Sequence, residues 1–140
     1  MARLLPVVDD RDTAGFFAAA RRGELAVQAC ASCGHVLHLP VAYCHWCGSW
    51  EGEWRTLAAT GRLYSWTTVE HQVHPSYPVP YTIVLVAPDD APAARFVGFV
   101  PGAPELHEGQ AMEVWFETLD DNTVLPQWRP ADRSEREAES

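Results

Sequence analysis

The chain has 140 residues, enough for one medium domain or two small ones sharing an interface. Its formal charge is −9 and all ten basic residues are arginine, an acidic balance that repels phosphate backbones and argues against general nucleic-acid binding. No stretch reaches the length of a membrane helix, while a hydrophobic content of 47% with six tryptophans allows a packed core.

Residues 10–24 read as a helix. Asp12 or Thr13 is placed to cap its start, Ala14 through Arg22 are mostly good helix formers, and Gly23 ends it. Phe16, Phe17 and Ala20 fall on one stripe at helical spacing. No local core covers that stripe, so the helix is expected to dock elsewhere.

Residues 25–55 carry the only cysteines, Cys30, Cys33, Cys44 and Cys47, spaced C-x2-C-x10-C-x2-C. Each pair is followed at once by glycine, Gly34 and Gly48. A glycine there adopts positive φ without a Cβ clash, so backbone N–H groups can turn toward the sulfurs. Two such knuckles supply the four soft ligands of a closed tetrahedral site, which leaves no position for water or substrate. Zinc is the expected ion; iron in a rubredoxin-like site would use the same ligands. A disulfide pairing fits poorly, because no apolar signal core follows a basic start, and the compartment is expected to be the reducing cytoplasm. A thioredoxin-type motif would need one C-x-x-C in a βαβ unit. His35, His38 and His45 read as polar loop residues of the ribbon. About thirty residues bury little apolar surface, so the metal supplies folding free energy. Trp46, Trp50 and Trp54 are expected to form the ribbon's small apolar core and its seam with the downstream strands.

From Thr56 the texture changes to short strands, expected at 61–71, 81–87, 95–100, 111–119 and 122–128. Gly98 inside the third of these suggests a bulge or a barrel corner. The turn Asp120-Asp121-Asn122 leads into the last. Five strands without helical crossovers fit a five-stranded OB-type barrel. Residues 73–80 (VHPSYPVP) carry three prolines and read as a stiff loop. The fold class is therefore mainly β: an N-terminal docking helix (1–24), a rubredoxin-like four-cysteine zinc ribbon (25–55), an OB-fold barrel (56–130) and a disordered tail (131–140).

This order of elements, with the stretches FFAAARRGELAVQACASCG, YCHWCGS, TGRLYSWTTV, the Pro80-Tyr81 pair, VGFV at 97–100 and GQAMEV at 109–114, resembles the zinc-ribbon OB-fold acyl-CoA-associated proteins, domain of unknown function 35. The resemblance runs from about Phe16 to Trp128. Two places depart from the family pattern: Pro40-Val41 stands where Pro-Arg is frequent, and His45 stands where the second knuckle often has proline. The metal ligands are untouched by either, but any role of that arginine is lost.

The resemblance implies a non-catalytic accessory subunit. Its partner would be a thiolase-like or lipid-transfer-protein-like enzyme that makes or breaks a C–C bond in an acyl-CoA thioester, as in steroid side-chain aldol cleavage. The complex would be an α2β2 heterotetramer, a hot-dog-fold hydratase being a further possible partner. The catalytic residues, and most of the CoA thioester contacts, would lie on the partner.

The residues themselves offer no independent catalytic constellation: G-x-S-x-G, P-loop and G-x-G-x-x-G patterns are absent. His71 and His74, with Glu70 or Tyr77 nearby, are the only candidate general bases, and barrel-edge histidines with ordinary hydrogen bonds are the simpler reading. Phe16, Phe17, Tyr77 and Pro78 are the candidate interface residues, since aromatic anchors on stiff backbone suit a hot spot. Two competing functions are a stand-alone OB-fold nucleic-acid binder and a small iron electron carrier.

Overall fold

The computed structural model describes residues 3–131. One helix, α1 (Ala14–Arg21), precedes seven strands: β1 (Leu25–Cys30), β2 (Gly52–Leu57), β3 (Thr60–Val69), β4 (Tyr81–Pro88), β5 (Phe96–Pro101), β6 (Ala111–Asp120) and β7 (Thr123–Pro130). The first two pair antiparallel as the base of the ribbon, and the other five form one antiparallel sheet in the order β5-β4-β3-β6-β7. This is the expected mainly β architecture of helix, four-cysteine ribbon and OB-fold barrel.

The barrel is built on β4, whose Thr82, Val84, Val86 and Pro88 all point inward and are buried. Alternation at period two is what lets an eight-residue strand fill a core with every second side chain. Leu63, Met112, Phe96 and Trp128 complete the cluster from the other four strands. Register shifts fall between Leu63 and Ser65 in β3 and between Thr118 and Asp120 in β6, where the long strands bend. Gly98 is no bulge: it pairs in register with Val84. A Cβ there would stand 3.1 Å from Val84 and 3.2 Å from Trp128. The glycine lets β5 close onto the Trp128 side chain of β7.

The helix differs from its expected bounds and its expected isolation. Thr13 sits at the N-cap without a side-chain bond, and the Asp10 carbonyl accepts from the Ala14 amide at 2.8 Å instead. Gly23 at φ +75° ends the helix as anticipated. Small residues Ala19 and Ala20 are buried, so the helix approaches β1 and β7 closely. Phe16 is consequently covered by this chain's own core, its ring stacked 6.1 Å from Phe96.

The ribbon has too little volume to enclose indoles. Its buried cluster is Cys30, Leu37 and Cys44, while Trp46 and Trp50 are 61% and 73% exposed. Only Trp54 serves as a seam, its indole lying directly over Gly15 of the helix. The base strand β1 lends Leu25 and Val27 to the barrel's core, so ribbon and barrel share one apolar interior. Residues 132–140, most of the segment expected to be a disordered tail, lie outside the described residues.

Candidate metal centre

The cysteines come from two separate turns. Cys30 ends β1, and the knuckle it opens closes with the Gly34 amide donating to the Cys30 carbonyl at 2.9 Å. The second knuckle repeats this with the Gly48 amide and the Cys44 carbonyl at 2.7 Å. Gly34 and Gly48 have φ of +83° and +79°, the left-handed conformation that the C-x-x-C-G pattern anticipates. The two turns are tied at their tips by the Ser32 and Ser49 hydroxyls, 2.9 Å apart.

All four Sγ atoms lie within 4.8 Å of one another. The Cys30–Cys47 and Cys33–Cys44 sulfur separations are both 3.6 Å. A tetrahedron with metal–sulfur bonds of about 2.3 Å has edges of about 3.8 Å, so the donor set fits a zinc-sized ion. Cys30 and Cys44 are buried, Cys33 and Cys47 exposed. Held this close, the thiols shift one another's titration in opposite directions. The Cys33 amide, donating to the Cys30 sulfur at 3.5 Å, holds the Cys30 thiol down to about 6. The His35 amide pulls Cys33 down too, but removal from water and the crowding sulfurs outweigh it and push that thiol up to about 12. Four thiolates cannot share this space without a cation among them.

The nearby histidines lie around the cluster. His35 places Nδ1 3.2 Å from the Cys33 sulfur and stacks on Trp46 with ring centres 4.4 Å apart. His45 leans on the same indole. His38 has turned to the barrel, where its Nε2 meets the Arg95 carbonyl at 3.0 Å, and burial lowers its pKa.

The candidate interface residues fall in two places. Phe16 and Phe17 line an apolar cavity of about 280 Å3 between helix, ribbon and barrel, with Val27, Trp54 and Phe96 among its walls. Tyr77 is half-buried against Phe99, ring centres 5.9 Å apart, and Pro78 beside it is exposed. The hydrogen bonds of His74 stay within its own loop, where Nδ1 accepts from the Ser76 amide at 3.1 Å, and His71 is exposed. Sequence reasoning missed Arg3, Glu117 and Gln127, which meet at the barrel seam; nothing in their local sequence marks them.

Known proteins share this arrangement. Two family models match: "ChsH2, rubredoxin-like zinc ribbon domain" over residues 17–51, and "ChsH2, C-terminal OB-fold domain" over residues 54–117. Among solved structures, a chain of the "Ltp2-ChsH2(DUF35) aldolase" is similar at 32% identity and a TM-score of 0.81, with 91% of this chain and 100% of that one covered. A DUF35-family protein of unknown function from Sulfolobus solfataricus shares the fold at 12% identity, with a TM-score of 0.59 and 86% of each chain covered. The "Probable enoyl-CoA hydratase alpha subunit" of Thermomonospora curvata is 33% identical over 124 residues. That match takes in 87% of this chain but spans only 38% of the relative's length.

Proposed function

The chain belongs to the family that joins the ChsH2 zinc ribbon to the ChsH2 OB-fold domain, and on that footing we propose that it is a non-catalytic accessory subunit of an acyl-CoA-processing enzyme. Its partner is a thiolase-like, lipid-transfer-protein-like enzyme that makes or breaks a C–C bond in an acyl-CoA thioester, such as aldol cleavage of a steroid side chain. The complex is an α2β2 heterotetramer. The observation that carries this reading is the end-to-end likeness to a chain of the Ltp2-ChsH2(DUF35) aldolase, at 32% identity over the whole of that chain.

The chemistry of the residues supports a division of labour. Cys30, Cys33, Cys44 and Cys47 would hold a structural zinc ion, which supplies folding free energy to a ribbon with almost no core of its own. With four thiolates around it the ion keeps no open position, and no other thiol remains in the chain as a nucleophile. Between residues 56 and 128 the only arginines are Arg62 and Arg95, and Arg95 lies over the Tyr64 ring at 3.8 Å. The phosphates of CoA call for a denser set of cations, so the thioester is held mainly by the partner. Phe16, Phe17, Tyr77 and Pro78 are the proposed contacts; both phenylalanines and Tyr77 are half-buried, and Pro78 is exposed.

Co-expression with a thiolase-like protein encoded beside this chain tests the reading. The two should co-elute at micromolar concentration, and Tyr77→Ala or Phe17→Ala should lower the partner's acyl-CoA activity. Separate elution, with activity unchanged by both variants, overturns it. A hydratase partner is the second reading, favoured by the hydratase-subunit name of the Thermomonospora relative. Hydration of an enoyl-CoA by the co-purified complex, without C–C cleavage, would select it.

A further inference from the structure

An open cleft of about 300 Å3 lies at the barrel seam, with Tyr77, Tyr81, Phe99 and Gln127 among its walls. Arg3 sits over two of these rings. Its guanidinium carbon is 4.2 Å from the Phe99 ring centre and 5.4 Å from that of Tyr77. Its Nη2 lies 3.4 Å from Glu117 Oε2. The two side chains are only 24% and 17% exposed, the most covered ion pair among the described residues. A pair withdrawn from water in this way is far more sensitive to loss of one partner than an exposed one.

The receptor half of this contact is built without Arg3. Glu117 is fixed by its other oxygen, which accepts from Gln127 Nε2 at 3.4 Å. Gln127 is itself held by the Phe99 amide, which donates to its Oε1 at 2.9 Å. Tyr77 and Tyr81 pack on Phe99 from two sides, at 5.9 and 5.1 Å. Two ring faces and an oriented carboxylate suit a planar cation that stacks and donates at once, which a guanidinium does and an ammonium does not.

The occupying arm is lightly held. Residues 4–9 have no regular secondary structure and make no backbone hydrogen bond to the rest of the described chain. Leu4, Leu5 and Val7 are each more than half exposed. Among the described residues, no hydrogen bond or ion pair holds the segment from Leu4 to Asp9.

We infer that Tyr77, Phe99 and Glu117 form a guanidinium receptor on the barrel, occupied within the chain by Arg3 and open to an arginine of a partner chain once the N-terminal arm lifts. The receptor is a property of this chain alone and does not depend on the identity of the partner enzyme. Charge favours the approach of a cationic partner, since the chain is strongly acidic and the receptor's only ionised group is a carboxylate.

The test uses the full, metal-loaded chain and N-acetyl-L-arginine amide, followed by the shifts of the Phe99 backbone amide and the Gln127 side-chain amide. The internal arginine lowers the fraction of open receptor, so Arg3→Ala should bind the probe at least about tenfold more tightly than the natural sequence. Adding Glu117→Gln to Arg3→Ala should remove that binding, and N-acetyl-L-lysine amide should bind weakly to Arg3→Ala. Should Arg3→Ala fail to fold, Arg3→Gln gives the same comparison with a polar side chain retained. Equal binding by the natural sequence and the folded variant, no binding by either, or equal response to the lysine probe overturns the inference.

Discussion

The side-chain oxygen of Gln127 accepts a hydrogen bond from the Phe99 amide at 2.9 Å, joining β7 to β5 where the two edges of the five-stranded sheet face each other. Edge strands carry unpaired amides that must find partners or water. Here a buried side chain does the pairing, and Gly98 next to it lets the Trp128 ring approach. Among the described residues no ladder pairs β5 with β7, so side-chain contacts close the barrel at this seam.

Replacing Gln127 by leucine keeps the volume but leaves the Phe99 amide without its acceptor. A buried donor left unmade costs about 1–3 kcal/mol. Urea unfolding should show a midpoint lowered by that free energy divided by the slope, with the slope itself unchanged. Gln127→Glu, which keeps an acceptor oxygen while adding a charge beside Glu117, should also destabilise, and more so at neutral pH than at pH 4.

Much of this was legible beforehand and some of it was not. The cysteine pairs, their trailing glycines and the strand runs are local patterns, and each folds as its own spacing dictates. Trp46 and Trp50 misled because three residues, Cys30, Leu37 and Cys44, already fill the ribbon's interior. Phe16 looked unpartnered because its cover, Phe96, lies eighty residues away in sequence. The roles of Gln127, Glu117 and Arg3 depend on barrel closure and on an arm laid across it, which no window of neighbouring residues encodes.

Cys30→Ser should release the metal and unfold the knuckles. Because Cys30 ends the strand that carries Leu25 and Val27 into the barrel core, protection of barrel amides should fall as well. Metal content measured by mass spectrometry and hydrogen exchange of β3 and β4 check this. A metal-free variant with an undisturbed barrel would contradict it.

Stability should decline with acidification through His38. Burial lowers its folded pKa below the ordinary 6.5, while its bond to the Arg95 carbonyl opposes this. Above 6.5 the imidazole is neutral in both states and the site contributes no pH dependence. As pH falls below 6.5 the unfolded chain takes up the proton first, so stability drops until the folded pKa is passed. His38→Gln should flatten this part of the curve. The readout is the difference in urea midpoint between the two proteins from pH 7.5 to 5.5, which cancels metal loss common to both.

Trp50→Ser should leave stability within about 0.5 kcal/mol, since the indole is largely in solvent. Trp128→Ala, at a residue 1% exposed, should cost about 3–5 kcal/mol. Gly15→Ala should fall between, at about 1–3 kcal/mol, because its methyl meets the Trp54 indole and the helix must shift off its seat. Thermal unfolding of the three variants orders them.

Leu25 and Val27 belong to the ribbon by pairing and to the barrel by packing. A recombination that cut between residues 51 and 54, where the two family models part, would hand on a barrel with two holes in its interior and an uncovered apolar wall. The pieces are separable on paper and inseparable as solids. Any transplant of this barrel into another protein has to bring the first strand with it, and with that strand the first of the four clustered cysteines.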